Sequence, residues 1–221
     1  MPATVSPLRY PGGKTKFYTY VREILSCNDM LGETYIEPFA GGAGLALKLL
    51  LNEDVSRIVI NDFDPAIYSF WHSVLYETEA FCELIENAIL TTNQWNLQHS
   101  IYLESDTSDP LTLGFATCYL NRTNISGVVK GGMIGGQGQN GKYGLDARFN
   151  RQTLIEKIKT IASHKEQIVL LNLDARELLQ PRQLRKFYKI FINLDPHYVK
   201  KGAQLYKNAF SESDHRELCE L

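Results

Sequence analysis

Four short β-rich runs, spaced by helical ones, constrain this chain most. Residues 34–39 (TYIEPF), 57–61 (RIVIN), 168–173 (IVLLNL) and 189–194 (KIFINL) read as strands, and 45–52 as the helix that follows the first. The last two are mostly apolar on both faces, and the last three each run into an aspartate: Asp62, Asp174 and Asp195. A strand without a polar face must be covered on both sides, which is the condition of a parallel sheet flanked by helices. The sequence therefore predicts an α/β fold with a doubly wound sheet.

About a hundred residues separate the second run from the third, too many for a simple connection. Within them 65–76, 79–98, 111–121 and 151–164 read as helices. This predicts a mostly helical subdomain at 77–164, inserted into a sheet domain made of 1–76 and 165–221. At its centre, 127–144 (GVVKGGMIGGQGQNGKYG) holds eight of the chain's sixteen glycines. Ordering so much glycine is entropically costly. Two readings stand, a disordered linker and a binding loop that orders on a partner; apolar Val128, Val129, Met133 and Ile134 favour the second.

Composition narrows the class further. With 221 residues, 44% hydrophobic and 22% charged, the chain can bury one core and is not wholly disordered. No run reaches the roughly 20 apolar residues of a membrane span, and residues 1–9 lack a secretory signal's apolar stretch, so a cytoplasmic location without a membrane partner is expected. Cys27, Cys82, Cys118 and Cys219 have no CxxC spacing; reduced thiols and no metal are expected. The net charge of −2 hides an asymmetry. Residues 1–100 carry 6 Lys+Arg against 12 Asp+Glu, and residues 121–207 carry 16 against 6. The second stretch is either the footprint of a polyanion or a set of solvated basic helices.

The strand ends carry the chemistry, because open parallel sheets bind ligands beyond the carboxyl ends of their strands. The first delivers Glu37-Pro38-Phe39-Ala40-Gly41-Gly42-Ala43-Gly44 into a helix, where glycines allow close approach of a ligand. A dinucleotide fingerprint would need a small residue at Leu47, so a nucleoside without a pyrophosphate fits better. Asp62, 18 residues after Gly44, is placed to accept both ribose hydroxyls. A structural glycine turn beside a surface Asp would look the same. Gly13-Lys14-Thr15 imitates a phosphate-binding loop, but Leu8 stands where its first glycine belongs. What remains, Arg9-Tyr10-Pro11-Gly12-Gly13-Lys14, suits an aromatic base and a carboxylate, or is an ordinary turn. Asp195-Pro196-His197-Tyr198 offers a carboxylate, a turn carbonyl and a ring to a planar amine-bearing base, although Asp-Pro is also a common turn start.

Taken in order, Tyr10-Pro11-Gly12-Gly13-Lys14, Glu37 through Gly44, Asn61-Asp62, Tyr119-Leu120-Asn121-Arg122-Thr123, Asp174 and Asp195 through Tyr198 resemble the Dam family of DNA adenine methyltransferases. The resemblance covers nearly the whole chain. It implies a Rossmann-like class I fold, S-adenosyl-L-methionine as methyl donor with S-adenosyl-L-homocysteine as product, and a target-recognition domain inserted between the second and third strands. It places Tyr10 and Lys14 beside the methyl donor, Glu37, Phe39 and Gly41 along its pocket, Asp62 at the ribose and Asp174 near its adenine end. Asp195, Pro196 and Tyr198 form the target-base pocket. Double-stranded DNA is the implied partner, met by Asn121, Arg122, Lys130, Lys142 and Lys157. Arg122 either reads a guanine edge or anchors a phosphate. The implied reaction is methylation of the adenine N6-amino group of a flipped base in a bacterial or phage-type host cytoplasm.

Two features depart from the family pattern. Its target pocket reads Asp-Pro-Pro-Tyr, and here His197 replaces the second proline, removing a backbone restraint. Leu221 falls within a predicted helix that starts from a Ser211 or Ser213 cap, whereas family members are expected to continue for several strands. The alternative expectation is thus a catalytically impaired relative that binds donor or DNA. A monomer is expected unless a partner supplies the further strands.

Overall fold

The computed structural model describes residues 4–10, 12–196 and 211–220. Pro11, His197 and Tyr198 lie outside the described residues. The chain forms two compact units: one of Met1–Val5, Gly13–Asp64 and Glu166–Leu221, the other of Ser6–Gly12 and Pro65–Lys165. The second therefore takes in residues 65–76 and a short N-terminal segment besides the stretch 77–164.

The first unit is built on four parallel strands, β1 (Thr34–Glu37), β2 (Arg57–Asn61), β3 (Ile168–Leu171) and β4 (Ile190–Ile192), in the order β3-β2-β1-β4. The central pair reads as the alternation requires. Ile36 and Val59 pack with Leu178, Leu171, Leu184 and Phe187, while Tyr35, Ile58 and Ile60 are also fully buried. Tyr35 stacks on Phe191 across the β1–β4 pair, centroids 5.8 Å apart. The helix α2 (Gly44–Leu51), with Leu45, Ala46, Leu47, Leu49 and Leu50 buried, covers β1 and β2. β3 and β4, expected to be apolar on both faces, are only half-buried along most of their length, being the outer strands of the described sheet. α1 (Tyr18–Cys27) packs on α2.

The helical unit contains α3 (Pro65–Tyr76), α4 (Thr78–Glu86), α5 (Thr92–Glu104), α6 (Pro110–Thr123) and α7 (Arg151–Ala162). The single helix expected over 79–98 is two helices. Asn87 ends α4, its side chain bonding the Glu83 carbonyl, and Thr91 caps α5 by accepting from Gln94 N–H. Local capping chemistry wins over a continuous apolar pattern. Asp109 and Asn150 cap α6 and α7 in the same way. α3 and α6 meet at Gly114, where an added Cβ would stand 2.5 Å from the Ser69 carbonyl oxygen. Only glycine fits there.

The glycine-rich stretch has defined turns. Asn124 Nδ2 lies 3.0, 2.8 and 2.9 Å from the carbonyls of Val128, Val129 and Gly131, and its Oδ1 accepts from buried Trp95 Nε1 at 2.7 Å. Gln139 repeats the device on Ile134 and Gly136. Side-chain amides thus supply the bonds that a run of glycines cannot make for itself. Two further short helices, α8 (Ala175–Leu178) and α9 (Pro181–Leu184), and the helix Glu212–Cys219 belong to the sheet unit. The last begins at Ser211, one of the two caps expected from sequence, in a capping box with Asp214.

Candidate active site

Chain order along the sheet reverses between β1 and β4, so the crevice beyond their carboxyl ends is where such a sheet offers a ligand site. Glu37 closes β1, and Asp195 follows β4. Between β1 and α2 the chain makes a tight turn with Gly41 and Ala43 both left-handed, at φ of 47° and 46°. Glycine accepts this at no steric cost, whereas Ala43 is held in it by an N–H bond to the Ala40 carbonyl.

Asp62 organises that turn. Its Oδ2 accepts from Gly41 N–H at 2.8 Å and its Oδ1 from Asp64 N–H at 3.0 Å. Asn61, wholly buried beside it, ties three segments together. Its Nδ2 donates to the carbonyls of Pro38 and Leu173, and its Oδ1 accepts from Leu173 N–H, each at 2.9 Å. Asn172 Nδ2 bonds the Asp62 carbonyl. The sequence marked Asn61 only as part of a motif and gave neither amide a task. A polar residue closing the apolar run 57–61 was the available signal.

Burial decides the charge state of this edge. Desolvation pushes the Glu37 carboxyl up to about 7, against the opposing Tyr35 hydroxyl, which donates to Oε1 at 3.2 Å. Desolvation likewise pushes Asp62 up to about 7, its two backbone donors working the other way. Lys14, at the start of a 3-10 turn, sits with Nζ 2.5 Å from Asp195 Oδ2 in a partly exposed ion pair. The fold therefore gathers Lys14, Glu37, Gly41, Asp62 and Asp195 in one unit, with Phe39 and Pro196 half-buried in the same chain segments.

Other expected site residues are placed differently. Asp174 caps α8, and its oxygens accept from Arg176 N–H, Nε and NH2 at 2.8, 2.9 and 2.8 Å. Arg176 holds its carboxyl below the usual range and also grips Asp214 and Glu217 of the C-terminal helix. Asp174 is thus engaged by Arg176, which in turn holds that helix. Tyr10 belongs to the helical unit. Asn121 is fully buried, its amide bonded to Arg9 and Gly127, so it braces the fold. The Arg122 guanidinium is turned inward onto the Pro7 carbonyl, with a buried Nε that has no hydrogen-bond partner among the described residues. Lys130 and Lys142 are exposed, and Lys142 lies over the Tyr143 ring at 5.6 Å. No helix among the described residues is long and apolar enough to cross a membrane.

A parallel sheet of this order, with a glycine turn after the first strand and a carboxylate after the second, defines a class I methyltransferase fold. The family model for D12 class N6 adenine-specific DNA methyltransferases matches residues 10–221, and the chain belongs to that family. No curated protein sequence matches the chain.

Proposed function

We propose that the chain transfers a methyl group from S-adenosylmethionine to the N6-amino group of a flipped adenine in duplex DNA. The observation that carries this reading is the grouping of two buried carboxylates, Glu37 and Asp62, around the Gly41 turn with the Lys14–Asp195 ion pair at the same sheet edge. The donor set fits the cofactor. A cationic ligand bearing ribose hydroxyls is complementary to desolvated carboxylates, and it would draw their protons off as it binds. Asp62 and Glu37 would hold it, with Gly41 allowing close approach and Phe39 supplying an apolar surface. When bound, S-adenosylmethionine supplies an electrophilic sulfonium methyl group.

The residues of this chain contribute acceptors and positioning. An adenine amino group is a poor nucleophile because its lone pair is spread into the ring. Asp195 and the Pro196 carbonyl would accept its two hydrogens and localise that pair on nitrogen. On taking up the methyl group in place of the donor's sulfur, the nitrogen would shed one proton toward Asp195 and solvent. Lys14 orients the Asp195 carboxylate through their ion pair. The amino group is paired in duplex DNA, so the base has to leave the stack, with Tyr198 offering its ring. The helical unit supplies the DNA-facing surface, with Lys130 and Lys142 positioning the backbone.

A labelled-methyl transfer assay on adenine-containing duplexes, run beside a donor-binding titration, tests this. Transfer dependent on Asp195 is expected. The second reading, an impaired relative, is motivated by His197, and binding without transfer would favour it. His197→Pro then raises the rate; equal rates clear the residue.

A further inference from the structure

The helical unit holds a row of cations that no carboxylate among the described residues neutralises. Three of them meet along the segment Ser6–Gly12. Lys157 Nζ donates to the Ser6 carbonyl at 3.2 Å, Arg122 NH2 to the Pro7 carbonyl, and Arg9 NH1 reaches the Asn124 carbonyl at 3.4 Å. Arg9 is fixed from both sides of its backbone by the Asn121 amide, the neighbour of Arg122. Ser6, Pro7 and Arg9 lie within three residues of one another, so the three cations share one short stretch of backbone. Arg148 joins them electrostatically through Arg9.

Among the described residues, none of the four makes a salt bridge. The couplings between them are repulsive. Burial first, then Arg148, lowers the pKa of Arg9; burial, opposed by Cys118 and joined by Arg9, does the same to Arg122; burial and then Arg122 lower Lys157. Neutral donors would have served three backbone carbonyls equally well. Partly buried like charges without a counter-ion are costly unless an anion occupies the site for part of the protein's working life.

We propose that Arg9, Arg148 and Lys157, backed by the inward charge of Arg122, form a seat for a phosphate of the DNA backbone. Arg148 is exposed and Arg9 and Lys157 are half-buried, so the outer members are open to a ligand, while Arg122 contributes charge from behind. Such a seat positions the duplex without reading its sequence. It rests on duplex DNA being the partner, and two arms keep that reading separable from the site itself.

In the first arm, anisotropy titrations of the full chain with a short labelled duplex are repeated over a salt series for wild type, Arg9→Gln, Arg148→Gln and Lys157→Met. Each variant is expected to reduce the slope of log affinity against log salt, by no more than the roughly 0.9 of the one phosphate they share, and equally for duplexes of different sequence. In the second arm, without DNA, inorganic phosphate is expected to raise the unfolding midpoint of wild type more than sodium chloride at matched ionic strength. The Arg9→Gln/Arg148→Gln protein should lose that difference and melt higher than wild type in phosphate-free buffer, which also shows that it folds. Failure of phosphate to stabilise wild type beyond chloride overturns the seat. A phosphate effect with unchanged DNA salt slopes overturns its assignment to the DNA backbone. A phosphate effect with no DNA binding at all supports the seat and counts against the proposed function.

Discussion

The sheet unit and the helical unit both contain charges stripped of water by burial, but of opposite sign. At the sheet edge, Glu37 and Asp62 are held in an environment that favours their protonated forms, with values of about 7. In the helical unit, Arg9, Arg122 and Lys157 are weakened as bases by burial and by one another. Each unit is complementary to a ligand of the opposite charge, a compact cation in one case and a polyanion in the other. Neutralising the two sets should therefore have separable consequences.

The largest separation is expected from Asp195→Asn, which removes the anionic acceptor paired with Lys14. Methyl transfer should fall by about a thousandfold or more while donor and DNA affinities stay within a few-fold. Single-turnover rates beside two binding titrations measure this, and a parallel loss of donor affinity would place Asp195 in the donor site instead.

Next in size, Asn124→Ala strands Trp95 Nε1 and three loop carbonyls, a loss of about 2–3 kcal/mol. Chemical denaturation, with limited proteolysis of residues 127–144, reads it out. Donor affinity should not change, because every group concerned belongs to the helical unit.

Glu37→Gln tests the opposite sign. The folded protein binds a proton at Glu37 that the unfolded chain has already released between the ordinary carboxyl value of 4.5 and about 7. Stability from this group therefore falls as pH rises across that window, and the full penalty applies above it. Glutamine removes a penalty of up to about 3 kcal/mol, so the melting midpoint at pH 8 should rise by several degrees. The fall in stability from low to neutral pH should become shallower without vanishing, since Asp62 contributes with the same sign. The same variant should weaken donor binding, a gain in stability obtained at the cost of function. A midpoint unchanged at pH 8 would show that Glu37 is not desolvated.

The smallest effects belong to the exposed lysines. Lys130→Gln and Lys142→Gln should each weaken DNA binding uniformly across sequences and reduce the salt slope by about 0.9, without altering stability. A change in sequence preference would make either one a reader of bases.

Much of the sheet unit was legible from sequence because its signals are local. Apolar runs ended in aspartates, a glycine cluster followed the first, and Ser211 stood ready to cap a helix. The break between α4 and α5 was missed even though Asn87 and Thr91 announced it, since one apolar pattern runs through both helices. The helical unit's functional residues were read less well. Asn121 and Arg122 looked like DNA contacts from their motif, and the fold turns both inward onto residues 112 and 115 positions away. Asp174 looked like an acceptor until Arg176 was seen to occupy it.

By itself, the sequence determined the α/β class, the four strands, the glycine turn and the family, because periodicity, caps and motifs are written in neighbouring residues. The tertiary structure decided which charged groups lose water, which find a partner and which do not. Desolvation and pairing depend on groups far apart in the chain, and that is why the acid edge at Glu37 and Asp62 and the uncompensated cations around Arg9 come into view only in the folded protein.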